Sequence, residues 1–379
     1  MTGVLDLIRA AAEGRTTLDL DRLDPGELQH ALKAGLGPLL HRATRDGGHG
    51  TGSSLAETVM AADLTARLLT ATKLDALEQI LRSAGPLAGT FVVLKGMAAC
   101  LRDYPEPHLR TMGDIDLLVP PETLPVVESL LLDLGYHQES DDPPEYYETH
   151  HHSMPFCHWQ TGVWVEVHTG LFPPEAPIAT NDVFSPVSIA KDRAPFEFRG
   201  LVTSVLDDEL HLIYTCAHWA QTVNTERGLL PLLDVVYLLR QRGARIDWAR
   251  VCARLERSAA APRVWLMLAW LDRHGLIELP PGILARLDRL SRGLDGFSGR
   301  ILQRIVSRYI VGGAPFGRLA TESSVTKVWD TLLAPRAAAH NLLLLPYHFL
   351  FPPRHPERYS PGLLLRRLKS ILRPGAADR

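Results

Sequence analysis

The chain has little that would staple it together covalently. Its 379 residues include four cysteines, Cys100, Cys157, Cys216 and Cys252, and none forms a Cys-x-x-Cys pair. That excludes a zinc knuckle and a disulfide framework. It predicts reduced, mostly buried thiols and a cytoplasmic setting. Long apolar runs are also missing. The longest candidate, NLLLLPYHFLF, carries a proline and is about half of the ~20 residues that span a bilayer. The first residues, MTGVLDLIRAAAEG, have no basic stretch followed by an apolar one, so they do not read as a secretory signal. No sign of charge dominates. A net charge of −3 argues against a dedicated nucleic-acid binder. Internal repeats and low-complexity tracts are absent. What is present is an ordinary globular composition, 46% hydrophobic and 22% charged, long enough for two or three compact units.

Hydrophobic periodicity divides the chain. Residues 1–86 read as helical, with LDLIRAAAEG and GELQHALKAG each stopping at Gly, and a long amphipathic helix ending at Gly85. The period then changes. TFVVLKG reads as a strand closed by Gly96, MAACLRDY as helical turns, DIDLLV as a strand and PETLPVVESLLLDLG as a helix. YETHHHSMPFCHW and GVWVEVHTG read as two further strands. This predicts an α+β protein, with a small mixed β-sheet whose helices pack on one face. Proline-rich residues 171–203 read as a connector, which completes a core unit at 87–203. Residues 204–310 read as a second helical unit. Residues 311–379 read as a tail with a basic amphipathic end, LLLRRLKSILR. That end suits self-packing, or weak docking on an anionic membrane or an acidic partner.

The strand DIDLLV raises the chemical question. Alternation puts Asp114 and Asp116 on one face, with Ile115, Leu117 and Val119 on the other. Two carboxylates so close are costly to bury unless a cation sits between them. The alternative is that both are hydrated at a strand end. A third candidate, Glu166, lies in VWVEVHTG between two valines, with Trp164 and His168 on its own face. Three carboxylates on neighbouring strands make an oxygen-rich cage suited to Mg²⁺, with Mn²⁺ as the second choice. For Glu166 the plain alternative is a cross-strand salt bridge.

Gly96 after a strand, then RTMGDIDLLV, a helix ending in LLLDLGY, and VWVEVHTG together resemble the polymerase-β-type nucleotidyltransferase superfamily. The likeness is to a bacterial branch of uncharacterised nucleotidyltransferases, and it spans residues 90–240 best. It implies metal-dependent transfer of a nucleoside monophosphate from an NTP to an acceptor, usually a hydroxyl. The acceptor is a small molecule, a natural-product peptide or a protein. Asp114 and Asp116 match the metal pair, and Glu166 the third carboxylate. Gly96 matches the glycine whose backbone approaches the phosphates. Many superfamily members carry Gly-Ser there; here Met97 follows, and Lys95 and Arg110 are the candidates for phosphate charge.

Other residues are read more plainly. His150, His151 and His152 are consecutive, so on a regular strand they cannot form one ligand set. His168 is a candidate for the acceptor pocket, or a hydrogen-bonded support. Asp234 sits in an apolar helix and needs a partner, for which His218 is the candidate; the pair would brace the fold or line the acceptor pocket. Trp219, Tyr237 and Trp248 read as core. Two rival functions stand. A glycosyltransferase also uses Asp-x-Asp, but normally places an α/β half before it. A non-catalytic binding module on the same fold is the other.

Overall fold

The computed structural model describes residues 3–19, 24–45 and 54–344, apart from 175, 177, 180, 181, 318, 319, 335, 337 and 338. Its strands are β1 (Val92–Val93), β2 (Asp114–Leu118), β3 (Tyr136–Gln138), β4 (Phe156–His158), β5 (Trp164–His168), β6 (Arg193–Phe198) and β7 (Leu201–Leu206). They form one sheet in the order β3-β4-β5-β2-β1-β7-β6. β1 runs antiparallel to β2 and parallel to β7, and β2 runs parallel to β5. The chain is α+β, with helices before and after this sheet.

Side-chain alternation gives the sheet two different faces. Ile115, Leu117, Val119, Val165 and Val167 point into one core. There they meet Leu77, Ile80 and Leu81 of the long helix Ser54–Ala84, and Val127 and Leu131 of the helix Leu124–Asp133. Val92, Leu94, Leu118 and Leu206 join a second core made with the C-terminal helices. The expectation of helices on one face is therefore corrected: both faces are covered. The acidic positions of β2 and β5 share the face of the second core.

Three more expectations change. Residues 193–206, read as connector and helix start, form the hairpin β6–β7. Its turn residues Arg199 and Gly200 both have positive φ, at 50° and 78°, which suits the right-handed twist of the strands they join. A unit boundary at 203/204 would cut β7. The strand before the aspartates ends at Val93, and Gly96 is the second residue of the helix Lys95–Arg102 rather than a strand stop. Of YETHHHSMPFCHW, only Phe156–His158 is strand, while Pro144–Tyr147 is a helical turn.

The first helices do not stand alone. Tyr237 Oη donates to the Ala11 carbonyl at 3.0 Å, and His30 Nε2 to the Ile310 carbonyl at 2.8 Å. Each joins an N-terminal helix to a C-terminal one. All four cysteines are free, and only Cys157 is not fully buried. Trp219, Tyr237 and Trp248 are core residues. Among the described residues, no helix is long and apolar enough to cross a membrane. The basic stretch LLLRRLKSILR lies outside the described residues.

Candidate active site

The parallel pairing of β2 with β5 builds the site. It sets Asp114 opposite Trp164, Asp116 opposite Glu166 and Leu118 opposite His168. Since side chains alternate, both aspartates, Glu166 and His168 emerge on one face. Asp116 is 2% exposed. Lys95 Nζ donates to Asp116 Oδ1 at 2.6 Å and lies 3.6 Å from Glu166 Oε2. His168 Nε2 lies 2.9 Å from Asp116 Oδ1 and 3.3 Å from Glu166 Oε2. Asp116, Glu166 and His168 thus form a group able to hold a metal ion. Asp114 shares their face.

Charge in this group is unevenly satisfied. Burial disfavours the Asp116 carboxylate, but Lys95 and His168 outweigh it and hold its pKa well below the usual range. Glu166 is likewise lowered against its burial, through His168 and Lys95. Asp114 moves the other way. Burial first, then Asp116 and Glu166, push its pKa up to about 6. Lys95 reaches across from a backbone with φ of 46°, in the left-handed region that a residue with a Cβ adopts only under constraint. It is the first residue of its helix, so the same turn exposes first-turn amides that lack an intrahelical partner.

A cleft of about 540 Å³ opens over Asp114 and Asp116, between the sheet, the N-terminal helices and the helix Asp208–Trp219. Lys95, Gly96 and Arg110 line it, as do His218 and Asp234. A Cβ at Gly96 would come within 3.2 Å of both Arg110 Nη1 and Met112 Cβ, so the position has little room for a side chain.

Arg110 is not the free fork that the sequence suggests. Its Nε and Nη2 donate to the two carboxylate oxygens of Asp234 at 2.7 and 2.9 Å, and Tyr104 Oη donates to the same group at 2.9 Å. The partner of Asp234 is therefore Arg110, not His218. His218 instead faces the carboxylate group, next to the Tyr214 ring at 5.7 Å. Burial, and then Lys95, lower its pKa to about 3.

Four residues escaped the sequence. Tyr214 lines the cleft, is 1% exposed, and leaves its buried hydroxyl without a hydrogen-bond partner. Arg227 and Lys33 line the same cleft and have no carboxylate partner among the described residues. Lys73 is buried near Asp114, and burial lowers its pKa against the pull of that carboxylate. A buried lysine at Lys73, mid-helix among apolar neighbours, was the one visible signal.

A family model described as uncharacterised nucleotidyltransferase matches residues 24–274. The chain belongs to this nucleotidyltransferase family. The match takes in every element that lines the cleft. It favours this family over the Asp-x-Asp glycosyltransferase alternative, whose nucleotide-binding α/β half has no counterpart in the described residues before Asp114. No curated protein and no solved structure matches the chain.

Proposed function

We propose that the protein transfers a nucleoside monophosphate from an NTP to a hydroxyl group, with pyrophosphate leaving. The acceptor is a small molecule, a natural-product peptide or a protein. One observation carries this reading: the β2–β5 register sets Asp116 against Glu166, with Asp114 on the same face, at the cleft.

Mg²⁺ fits the residues present. Asp114, Asp116 and Glu166 offer oxygen donors only, which suit a hard cation. Lys95 is the one ammonium that contacts this group, and Asp114 is left without a contacting cation among the described residues. Asp114, Asp116 and Glu166 would hold the ion, which neutralises triphosphate charge when bound.

The chain's own groups account for the rest. Arg227 and Lys33 are free to bind phosphate oxygens. The first-turn amides at Gly96 and Met97 offer backbone donors where the Ser of other superfamily members is missing. Tyr214 has an unspent hydroxyl for the same substrate. Glu166, 23% exposed and outside the cleft lining, is open to an acceptor from another side. It accepts the proton that the acceptor hydroxyl loses. His168 holds Asp116 and Glu166 in position.

A second reading has one observation behind it. Lys95 already neutralises Asp116, which is what a non-catalytic binding module would need.

The test is a panel of α-labelled NTPs with Mg²⁺ and cell extract, read by pyrophosphate release and by the mass of added AMP, GMP, CMP or UMP. Transfer that disappears in Asp116→Asn supports the proposal. A folded protein that binds neither Mg²⁺ nor any NTP, and releases no pyrophosphate, leaves the binding module instead.

A further inference from the structure

Three consecutive histidines stand outside the chemistry proposed above. They do not lie on a regular strand. They follow the helical turn Pro144–Tyr147, and the bend there turns all three rings together. Ring centroids are 4.4 Å apart for His150 and His151, 4.5 Å for His150 and His152, and 4.8 Å for His151 and His152. One nitrogen of each lies within 4.8 Å of the others.

The backbone beneath them is fixed. The His151 carbonyl accepts from Thr169 N at 2.8 Å and Gly170 N at 3.1 Å, and Ser153 N donates to the Val167 carbonyl at 2.9 Å. The segment is thus laced to the end of β5. Hydrogen bonding also decides a tautomer. His152 Nδ1 lies 2.8 Å from the Ser153 carbonyl, which can only accept. Nδ1 therefore carries the hydrogen, and Nε2 is left with a lone pair. A ligating histidine is usually held this way, by donating its other N–H to a backbone carbonyl. His151 Nδ1 is buried with no hydrogen-bond partner. That nitrogen has no protein partner to give up before an ion binds.

We propose that His150, His151 and His152 form a site for a divalent transition metal of the zinc class, separate from the oxygen-rich Asp114, Asp116 and Glu166. Three imidazoles without a carboxylate suit zinc, nickel or copper rather than Mg²⁺. Three histidines with an open fourth position are an established zinc coordination. Tetrahedral ligands at zinc distance stand ~3.4 Å apart, so the rings must turn inward slightly, which side-chain torsions permit. A bound ion would lock the segment beside β5. The rings of His151 and His152 lie 5.3 and 5.2 Å from that of His168, and His168 contacts Asp116 and Glu166. The ion would therefore stiffen the support of the carboxylate group without entering it.

The test uses the full chain without an oligohistidine tag, stripped of metal and titrated with Zn²⁺ by calorimetry and native mass spectrometry in excess Mg²⁺. One Zn²⁺ should bind despite the Mg²⁺, and it should persist in Asp116→Asn. The double variant His151→Asn/His152→Asn should lose it, or weaken it at least tenfold. Cu²⁺ in the same site should show nitrogen coupling by electron paramagnetic resonance that the double variant lacks. Unchanged Zn²⁺ stoichiometry and affinity in the double variant would overturn the site, as would loss of all Zn²⁺ to Mg²⁺ or in Asp116→Asn. If circular dichroism shows the double variant unfolded, His150→Asn, at a half-exposed position, serves in its place. Tenfold weaker binding there supports the site and unchanged binding overturns it. None of these readouts uses nucleotide, so they stand apart from the transfer reaction.

Discussion

Among the described residues, two groups of three acidic side chains are built on opposite terms. In one, Asp192, Asp207 and Glu209 meet Arg250 and Arg254. Arg254 lies 2.7 Å from Asp192 and 2.8 Å from Asp207, and Arg250 lies 2.7, 2.8 and 3.2 Å from Asp192, Asp207 and Glu209. Every carboxylate there has a guanidinium, and Asp207 also caps the helix Asp208–Trp219 through Leu210 N. In the other, one ammonium, Lys95, contacts Asp116 and Glu166, and no cation among the described residues contacts Asp114. The pKa values follow. Asp207 is lowered, Arg254 outweighing its burial, while Asp114 is raised to about 6. An acidic cluster that braces a fold brings its own cations. One that brings too few is poised for a cation from outside.

The largest effect should come from unbalancing a brace. Arg110→Met would leave Asp234 buried with only Tyr104 against it, at a cost of roughly 3–5 kcal/mol. Adding Asp234→Leu should recover most of the loss. A denaturant midpoint for Arg110→Met equal to that of the wild type would show that the pair carries no such weight.

Next comes the unbalanced cluster itself. Glu166→Gln keeps the side-chain size and removes the proton acceptor, so kcat should fall on the order of 10²-fold or more. NTP affinity, measured by calorimetry on the same preparation, should change far less. Wild-type turnover by this variant would make Glu166 structural.

A third pair sharpens the contrast between free and spent arginines. Arg227→Ala should raise the KM for NTP about tenfold, the scale of one charge-assisted hydrogen bond, and leave the melting temperature unchanged. Arg254→Ala should do the reverse. The same outcome for both would erase the distinction between them.

The smallest effect concerns Asp114. Its folded pKa lies above the ~3.9 of an unfolded aspartate, so the folded state holds the extra proton between that value and about 6. The penalty is absent below the lower value and complete above the upper one. In metal-free protein, Asp114→Asn should therefore stabilise by on the order of 1 kcal/mol near neutral pH. The gain should fade as pH drops toward 4. A melting difference that is constant across this range would place the carboxylate in water.

The carboxylate face was legible because alternation in DIDLLV and VWVEVHTG is a local signal. Much else depends on contacts distant in sequence. Arg110 meets Asp234 across 124 residues, and nothing near either one names the other. Tyr214 and Arg227 reach the cleft only through the packing of the C-terminal helices. The hairpin β6–β7 did leave a trace, an Arg-Gly turn between two extended runs, but Pro195 and the proline-rich stretch before it masked the pattern. Pro195 is tolerated because β6 is the edge strand. The histidine triplet falls outside the alternation argument, which assumes a strand, because the chain bends there.

The pairing of β2 with β5 has a further consequence. Strands carry a two-letter reading frame, in and out, and this protein writes its acidic face in that frame twice, once in each strand. Between them the chain runs through the helix Leu124–Asp133 and out to β3 and β4 at the sheet edge before returning. Residues gained or lost on that excursion leave the frame intact, whereas one residue inserted just ahead of Glu166 shifts it. Val167 would then face the cleft side and Glu166 would enter the apolar core. The site is thus tolerant of drift in the length of its longest detour and intolerant of a single-residue slip at its centre.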